Sequence, residues 1–321
     1  MRFFFALLFS LLLNNVYCAA QSNDGEKADT AAQEEEKSYW SFENDATLYL
    51  SQIAYSEYWK GSGFNNITFG GAFDWKAIYK KDKNNFTYST NIQYGLMKRD
   101  KQEWIKNRDK LEMTGNYGYK FSDKMFLSAV MTTRTFMTET YKINKAGMRD
   151  AYNGKFASPL TIDIGSGLNV KNLLQKKDEE ETKNKLDIYY TPINGKITVV
   201  RDSLSAVQYL PEKFREDMYR FELGSLVKFV ASFTLMENIT LQSRADFFTN
   251  HLSNFGNFDV NIESKIKMKV NNHITVDILG NLIYDEDIQF EIFDENGEAT
   301  GRTGPRTQFS ESINVGLTHS F

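Results

Sequence analysis

Apolar and polar residues alternate along most of this chain with a period of two, which is the pattern of an extended β-strand. The final stretch, residues 308–321, shows the pattern most clearly. Phe309, Ile313, Val315 and Leu317 fall on one face, and mainly serine, asparagine, glycine and threonine fall on the other. A strand of this kind suits a wall that has lipid on one side and water or polar side chains on the other.

The same alternation recurs in twelve stretches, at residues 46–55, 67–79, 85–96, 111–121, 125–138, 160–170, 186–200, 221–234, 239–247, 259–270, 274–284 and 308–321. The seventh is the least regular because Pro192 interrupts it. Most of these runs exceed the ~5–6 residues usual in globular strands and are long enough for the about 9–11 residues of a tilted membrane-spanning strand. The sequence therefore predicts an all-β fold, a transmembrane antiparallel up-and-down β-barrel of about 12 strands.

A soluble β-sandwich also has alternating strands and is the main alternative fold. In a sandwich the polar face would have to be solvent-exposed throughout, or else be buried against a second sheet. The alternate face here carries so many charges that burying it in this way would be costly. An even number of strands lets a closed antiparallel barrel place both termini on one side, and closure removes exposed sheet edges.

The connections between the predicted strands alternate in length. Those on the side of the two termini are short, at residues 80–84, 122–124, 236–238 and 271–273, with one long exception at 172–185. Those on the other side are mostly long, at 97–108, 139–156, 201–218, 251–257 and 286–307, with a tight turn at 60–63. This alternation is typical of outer-membrane barrels, whose periplasmic turns are short.

The amino terminus reads as a signal peptide, not as part of the fold. Arg2 precedes an apolar run, and small residues follow at Ala19 and Ala20, so we expect residues 1–20 to be removed. The residues before Cys18 do not form a lipobox, which disfavours a lipoprotein. Residues 21–44 are acidic and lack apolar periodicity, which predicts a periplasmic linker, or else a plug or partner-binding segment. Residues 45–321 form the predicted barrel.

Composition excludes several classes of function. The only cysteine lies in the predicted signal peptide, so the mature chain has neither disulfides nor thiol chemistry. Three histidines offer little for a metal site, and the net charge of −4 gives no basic surface for nucleic acid. We expect no cofactor and no metal.

Two sets of side chains are candidates for function. The charged residues on the inward face are predicted to line the lumen: Asp74, Lys76, Glu112, Arg134, Asp163, Arg220, Glu222, Lys228, Arg244, Asp246, Asp259, Glu263, Lys265, Lys267, Lys269 and Asp277. Aromatic residues near strand ends are predicted to lie at the membrane interfaces: Trp59, Trp75, Tyr79, Tyr119, Phe121, Tyr219, Tyr284 and Phe321. The lumen charges nearly balance, so they fit either ion-paired filling or the wall of a narrow channel.

Several short motifs resemble those of a known family. They are Leu50-Ser51-Gln52 with Trp59 and the Gly61/Gly63 pair, Tyr94-Gly95, Asp109-Lys110-Leu111, Tyr117-Gly118-Tyr119-Lys120, Ser158-Pro159-Leu160 and Thr191-Pro192-Ile193-Asn194-Gly195-Lys196. The pattern is similar to an uncharacterised outer-membrane β-barrel family of Bacteroidota, although Ser62 splits the double glycine here. The resemblance implies location and architecture, and it implies no catalytic residue.

A lipid hydrolase is the least favoured function. Such a barrel needs a serine and a histidine within hydrogen-bond reach on its lipid-facing wall. His319 is outward-facing on the last strand, but its neighbouring strands offer no outward serine, and His251 and His273 fall in turns. The sequence therefore predicts no enzyme activity.

Two functions remain open from the sequence. One is a narrow channel or transporter for small solutes, and the other is a non-conducting structural or partner-binding barrel. For both we expect an outer-membrane location in a Gram-negative bacterium, with both mature termini in the periplasm. The expected partners are outer-membrane lipid, the barrel-assembly machinery acting on the last strand, and a lipoprotein or other outer-membrane protein.

Overall fold

The computed structural model describes residues 38–53, 65–99, 103–143, 149–175, 183–253, 255–287, 289–293 and 299–320. Twelve long strands form one closed barrel. They are β1 (Trp40–Ile53), β2 (Asn66–Lys81), β3 (Asn84–Arg99), β4 (Ile105–Lys120), β5 (Met125–Thr135), β8 (Leu160–Val170), β9 (Lys185–Val199), β10 (Tyr219–Met236), β11 (Ile239–Asn250), β12 (Asp259–Lys269), β13 (Ile274–Tyr284) and β16 (Gln308–Ser320). Two short pairs lie outside the barrel, β6 (Thr140–Ile143) with β7 (Arg149–Gly154), and β14 (Phe290–Phe293) with β15 (Ala299–Gly304).

Each barrel strand pairs with its neighbours in an antiparallel register, and the first and last strands close the ring. In the closing pair, Leu48 lies opposite Leu317 and Leu50 opposite Val315. The order round the ring is β1-β16-β13-β12-β11-β10-β9-β8-β5-β4-β3-β2. The predicted twelve-stranded up-and-down barrel is therefore confirmed.

The barrel exposes apolar side chains on its outer wall and buries polar ones inside, which is the reverse of a soluble protein. Leu48, Ile164 and Leu317 are all more than half exposed on the outer wall. Glu222 and Asn169 are almost fully buried on the inner wall. Lipid is the medium in which such an apolar exterior is stable, so hydrocarbon, and not a second sheet, covers the outside of this barrel.

The connections differ in length at the two ends of the barrel. Residues 82–83, 121–124, 237–238 and 270–273 are tight turns at what we call the turn end, together with the longer segment 171–184. The opposite, loop end carries the two hairpins, and the connection from β9 to β10 contains the helix α1 (Ser203–Tyr209) and a 3₁₀ turn, Glu212–Phe214. β1 starts and β16 ends at the turn end, since Trp40 pairs with Tyr79 and Thr318 bonds to His273.

Several predicted boundaries shift. β1 begins at Trp40, inside the segment assigned to the acidic linker, because Trp40 and Phe42 continue the outward apolar alternation. The loop predicted at 97–108 is shorter, since β3 and β4 stay paired as far as Met97 and Ile105. β5 ends at Thr135, not at residue 138. The tight turn predicted at 60–63, the signal peptide and most of the linker lie outside the described residues.

The irregular seventh strand is β9, and its irregularity is a bulge at Pro192. Register shifts fall between Gly224 and Leu226 in the pairing with β10, and between Ser166 and Leu168 in the pairing with β8. A proline cannot donate to the ladder, so a central strand accommodates it at a bulge. The buried inward positions therefore change from odd to even numbers, with Thr191 before the bulge and Asn194 after it.

Helix α1 is fixed to the loop end by a small apolar core and a polar cap. Val200, Ala206 and Leu210 form the buried core. Asp202 is the N-cap and accepts from the backbone N–H of Ser205 at 2.8 Å. The Ser158 hydroxyl donates to Asp202 at 2.9 Å, so the cap also joins α1 to the connection before β8.

We expect acid to weaken this cap. Burial disfavours the charged form of Asp202, but hydrogen bonds from Ser205 and Ser158 and the nearby Lys155 outweigh it and lower the pKa of the carboxyl. The stabilisation is therefore complete above the ordinary aspartate pKa and is lost as the pH falls through the lowered value. Hydrogen exchange across α1, corrected for intrinsic rates, should show protection that drops in acid. In Asp202→Asn the protection should change little with pH. If this variant loses protection in acid as the wild type does, Asp202 is not the group that titrates.

No helix in the described part of the chain is both long and apolar enough to cross a membrane.

Candidate functional site

The central feature of the lumen is a group of eight charged side chains, which we call the central charge cluster. β4 contributes Lys110 and Glu112, β5 Arg134, β8 Asp163, β10 Lys228, β11 Arg244 and Asp246, and β12 Glu263. Each strand supplies these residues from its inward face, where the polar side of the two-residue repeat points. Four cations and four carboxylates give the cluster no net formal charge.

Glu112 is the hub of this cluster. Its carboxylate accepts from Arg134 Nε at 2.6 Å and from Arg244 Nη1 at 2.9 Å, and it is only 7% exposed. Arg134 also contacts Asp163 at 3.2 Å. Arginine forks can hold two carboxylates at once, which lets a few side chains link strands that are not neighbours.

The cluster crosses the lumen. β4 and β12 are six places apart in the ring of twelve, so they face each other, yet Lys110 Nζ lies 3.1 Å from the carboxylate of Glu263. Arg244 of β11 reaches across to Glu112 in the same way. In addition, Arg108 donates to Ser312 of β16 at 2.7 Å. The barrel is therefore constricted by side chains across its interior.

A second group, the mouth charge cluster, lies toward the loop end. It consists of Lys196 of β9, Arg220 and Glu222 of β10, Asp259 of β12, and Asp287 just beyond β13. Arg220 lies 2.8 Å from Glu222 and also pairs with Asp287. Lys196 lies 3.5 Å from Glu222 and 3.7 Å from Asp259. Three carboxylates face two cations, so this group carries a formal charge of −1.

The remaining predicted lumen residues lie toward the turn end and are less tightly connected. Lys267 pairs with Asp45 at 3.3 Å, and Lys76 pairs with Glu43 at 2.9 Å. Asp74 accepts a hydrogen bond from Asn91. Asp277 lies within electrostatic range of Lys265 and Lys267, whereas Lys269 is exposed at the end of β12.

A cavity of about 340 Å³ is lined by residues of both the central and the mouth clusters. Its charged lining includes Arg134, Asp246 and Lys196. Hydroxyl and amide groups of Thr114, Thr132 and Asn194 also line it, together with apolar side chains such as Leu226, Phe248 and Val260. At ~30 Å³ for each water, the volume suits about ten water molecules or one small polar solute.

Among the described residues, no group of three or more histidine, cysteine, aspartate or glutamate side chains is arranged to hold a metal ion. The carboxylates of the central and mouth clusters have basic side chains as their partners.

The predicted interface aromatics fall at both ends of the barrel. Tyr79, Tyr119 and Phe121 lie at the turn end, and Tyr219 and Tyr284 lie at the loop end. Trp75 is set deeper and packs against Tyr88 at a ring distance of 5.5 Å. Trp59 and Phe321 lie outside the described residues. The sequence reasoning missed Trp40, which packs 5.1 Å from Tyr79, because it assigned that residue to the linker.

Other residues of the lumen were also missed. Lys110 and Lys196 follow the inward alternation, and an explicit register for β4 and for β9 after its bulge would have found them. From the sequence, Asp45 was put at the first residue of the predicted barrel and Asp287 in the connection at 286–307, so neither was assigned to the lumen. Nothing in the sequence marked the contact between Ser225 and His251, whose Oγ and Nε2 atoms lie 2.9 Å apart at the loop end.

A family model described as a protein of unknown function (DUF3078) matches residues 50–141. The matched segment begins in β1 and ends in β6, and it includes the Tyr94-Gly95 and Asp109-Lys110-Leu111 motifs. It covers less than a third of the 321 residues. No curated protein matches the chain.

Solved structures similar to the chain are themselves barrels. The COG4313 outer membrane channel from Pseudomonas putida F1 is 11% identical and covers 90% of this chain and 100% of its own, with a TM-score of 0.39. The translocator domain of the autotransporter NalP from Neisseria meningitidis is 9% identical, covers 98% and 96%, and has a TM-score of 0.31. The P. putida toluene transporter TodX is 9% identical, covers 89% and 80%, and has a TM-score of 0.28. Likeness at this level carries no inference about function.

Proposed function

We propose that this protein is an outer-membrane β-barrel of a Gram-negative bacterium that passes small hydrophilic solutes through a narrow lumen. The motif resemblance supports an origin in Bacteroidota. The turn end is placed in the periplasm, with both mature termini, because short turns face that side in barrels of this kind. Outer-membrane lipid and the barrel-assembly machinery, acting on β16, are the partners this location implies.

The observation that carries the proposal is the cavity that both charge clusters line. If the interior of the barrel served stability alone, side chains would fill this space, as they do in eight-stranded barrels. Here about 340 Å³ remains, and its wall combines charged, hydroxyl and amide groups with apolar side chains. In the described residues the central constriction consists of side chains alone, so it can open by rearranging ion pairs without a change in the barrel backbone.

A non-conducting, partner-binding barrel is the second candidate. It is favoured by the exposed apolar side chains of the loop end, among them Leu204 and Val207 on α1 and Phe255 before β12. Large apolar side chains left exposed at a loop end can serve as contacts for a partner protein. The central charge cluster would then act only as ion-paired filling.

Conductance in planar bilayers separates the two candidates. We expect purified protein to give reproducible small unit openings. The double variant Arg134→Ala/Arg244→Ala should give larger openings, because it removes the guanidinium group of Arg244 that reaches Glu112 across the lumen and that of Arg134 beside it.

The matched control is Lys269→Ala, which removes a cation from the exposed end of β12 and should leave the unit conductance unchanged. Folding of every variant is checked by heat-dependent migration on a detergent gel. If neither the wild type nor the folded double variant opens, the channel proposal is wrong and the partner-binding barrel is supported.

A further inference from the structure

The outer wall of the barrel carries a serine and a histidine in contact at the loop end. Ser225 Oγ lies 2.9 Å from Nε2 of His251, and both side chains are accessible. This distance is within the range of a nucleophile and its general base. The two residues are 26 positions apart in the chain and meet only because β10 and β11 pair.

Ser225 faces lipid, not the lumen. Its neighbours Gly224 and Leu226 take the inward positions, with Leu226 on the cavity wall. Phe221 and Phe229, four residues to either side on the same outward face, are exposed apolar side chains. Ser225 therefore interrupts an apolar stripe with a hydroxyl, six residues from the loop end of β10.

The local backbone presents this serine at an irregular point of the sheet. The register between β9 and β10 shifts between Gly224 and Leu226, opposite the bulge at Pro192. Bulges re-aim side chains and are frequent next to active sites. The Ser225 hydroxyl also lies 2.9 Å from the carbonyl oxygen of Pro192, which fixes the position of Oγ.

His251 is held by the end of β11 and the loop that follows. Its backbone N–H donates to Leu223 O at 2.8 Å. Its ring packs edge-on against Phe255, with centroids 5.2 Å apart. The loop folds back on the outer wall, since Gly256 N–H donates to Thr249 at 3.1 Å. The imidazole is thus held beside Ser225 on the outer wall of the barrel.

We propose that Ser225 and His251 form a hydrolytic dyad that cleaves acyl esters at the outer surface of the barrel. Ser225 Oγ attacks the ester carbonyl carbon while its proton passes to His251 Nε2. The bond from the carbonyl carbon to the alcohol oxygen then breaks, and His251 gives the proton to that oxygen. Water next attacks the acyl-serine, His251 takes a proton from it and returns a proton to Ser225 Oγ, and a carboxylic acid leaves.

The chemistry requires one of the two histidine tautomers. With the ring proton on Nδ1, Nε2 accepts the serine hydrogen and the dyad is active. With the proton on Nε2, the ring donates to Oγ and the hydroxyl donates to Pro192, which is an inactive resting arrangement. The site is independent of the lumen, so it stands whether or not the barrel conducts.

The test uses the full mature protein in detergent micelles and in phosphatidylethanolamine vesicles. A fluorophosphonate probe should label Ser225, located by mass spectrometry, and fatty acid should be released from the vesicles. Ser225→Ala should abolish both. His251→Asn should lower both by about 100-fold or more, which is the usual contribution of a general base.

The matched control is Ser243→Ala, which removes another outward serine, one bonded to Ser264 at 2.9 Å and not to a histidine. It should be labelled and active like the wild type. All variants must keep heat-dependent gel migration. The proposal is wrong if the folded wild type is not labelled. It is also wrong if Ser225 is labelled equally well in the folded His251→Asn variant. Either result would leave Ser225 as a hydroxyl that only satisfies the Pro192 carbonyl.

Discussion

Replacing Glu112 by glutamine should destabilise the barrel by about 3 kcal/mol, because it leaves two guanidinium groups without the carboxylate they share. Arg134 and Arg244 lie 2.6 and 2.9 Å from that carboxylate, inside a wall that is largely shielded from water. The amide of glutamine keeps the shape of the side chain but not its charge. Reversible urea unfolding of the protein in lipid vesicles, followed by tryptophan fluorescence, measures the change.

The matched control is Glu43→Gln. Glu43 makes an ion pair of similar length, 2.9 Å to Lys76, but both side chains are well exposed, at 62% and 42%. An exposed pair of this kind contributes about 0–1 kcal/mol. Equal losses in the two variants would show that the central charge cluster is not a buried network, and the account of the constriction would then fail.

Gly224→Ala should cost about 3 kcal/mol, at the upper end for overpacking a site. A Cβ added to Gly224 would lie 2.0 Å from the carbonyl oxygen of Thr249 and 2.7 Å from the ring of Phe248. The first contact is with backbone, so β10 and β11 would have to move apart. The same unfolding experiment measures the loss.

Gly280→Ala is the control for this variant, because nothing lies within 4 Å of a Cβ added there. Its stability should stay within about 0.5 kcal/mol of the wild type. A tolerated Gly224→Ala would mean that β10 and β11 are less closely packed at this point than the structure shows. Since Gly224 adjoins Ser225, this variant would also report on the geometry of the proposed dyad.

The charged lumen could be predicted as a set of residues but not as a network. The inward face of each strand follows from the two-residue repeat, which is why Glu112, Arg244 and Glu263 were identified from the chain alone. Which of them meet depends on strand order and on the relative stagger of β4, β11 and β12. Those are properties of the closed ring, and no local pattern encodes a contact across it.

The contact between Ser225 and His251 on the outer wall also could not be predicted from the sequence. Sequence reasoning looked for a serine beside His319 on strands, found none, and left His251 in a turn. His251 does follow β11 directly, yet the bulge at Pro192 and the fold-back of its loop bring it to Ser225. A bulge shifts register by one residue and a loop has no repeat, so neither contact could be read from alternation.

The pattern of residues was enough to predict twelve long strands with an apolar and a polar face, because side-chain alternation is a local consequence of extended backbone. It was also enough to predict that short and long connections alternate. The positions where the strands start, the pairing of charges across the lumen and the loop residues that return to the wall became known from the folded barrel. These features depend on the stagger of strands in a closed barrel and on backbone irregularities, which arise when distant segments pack together.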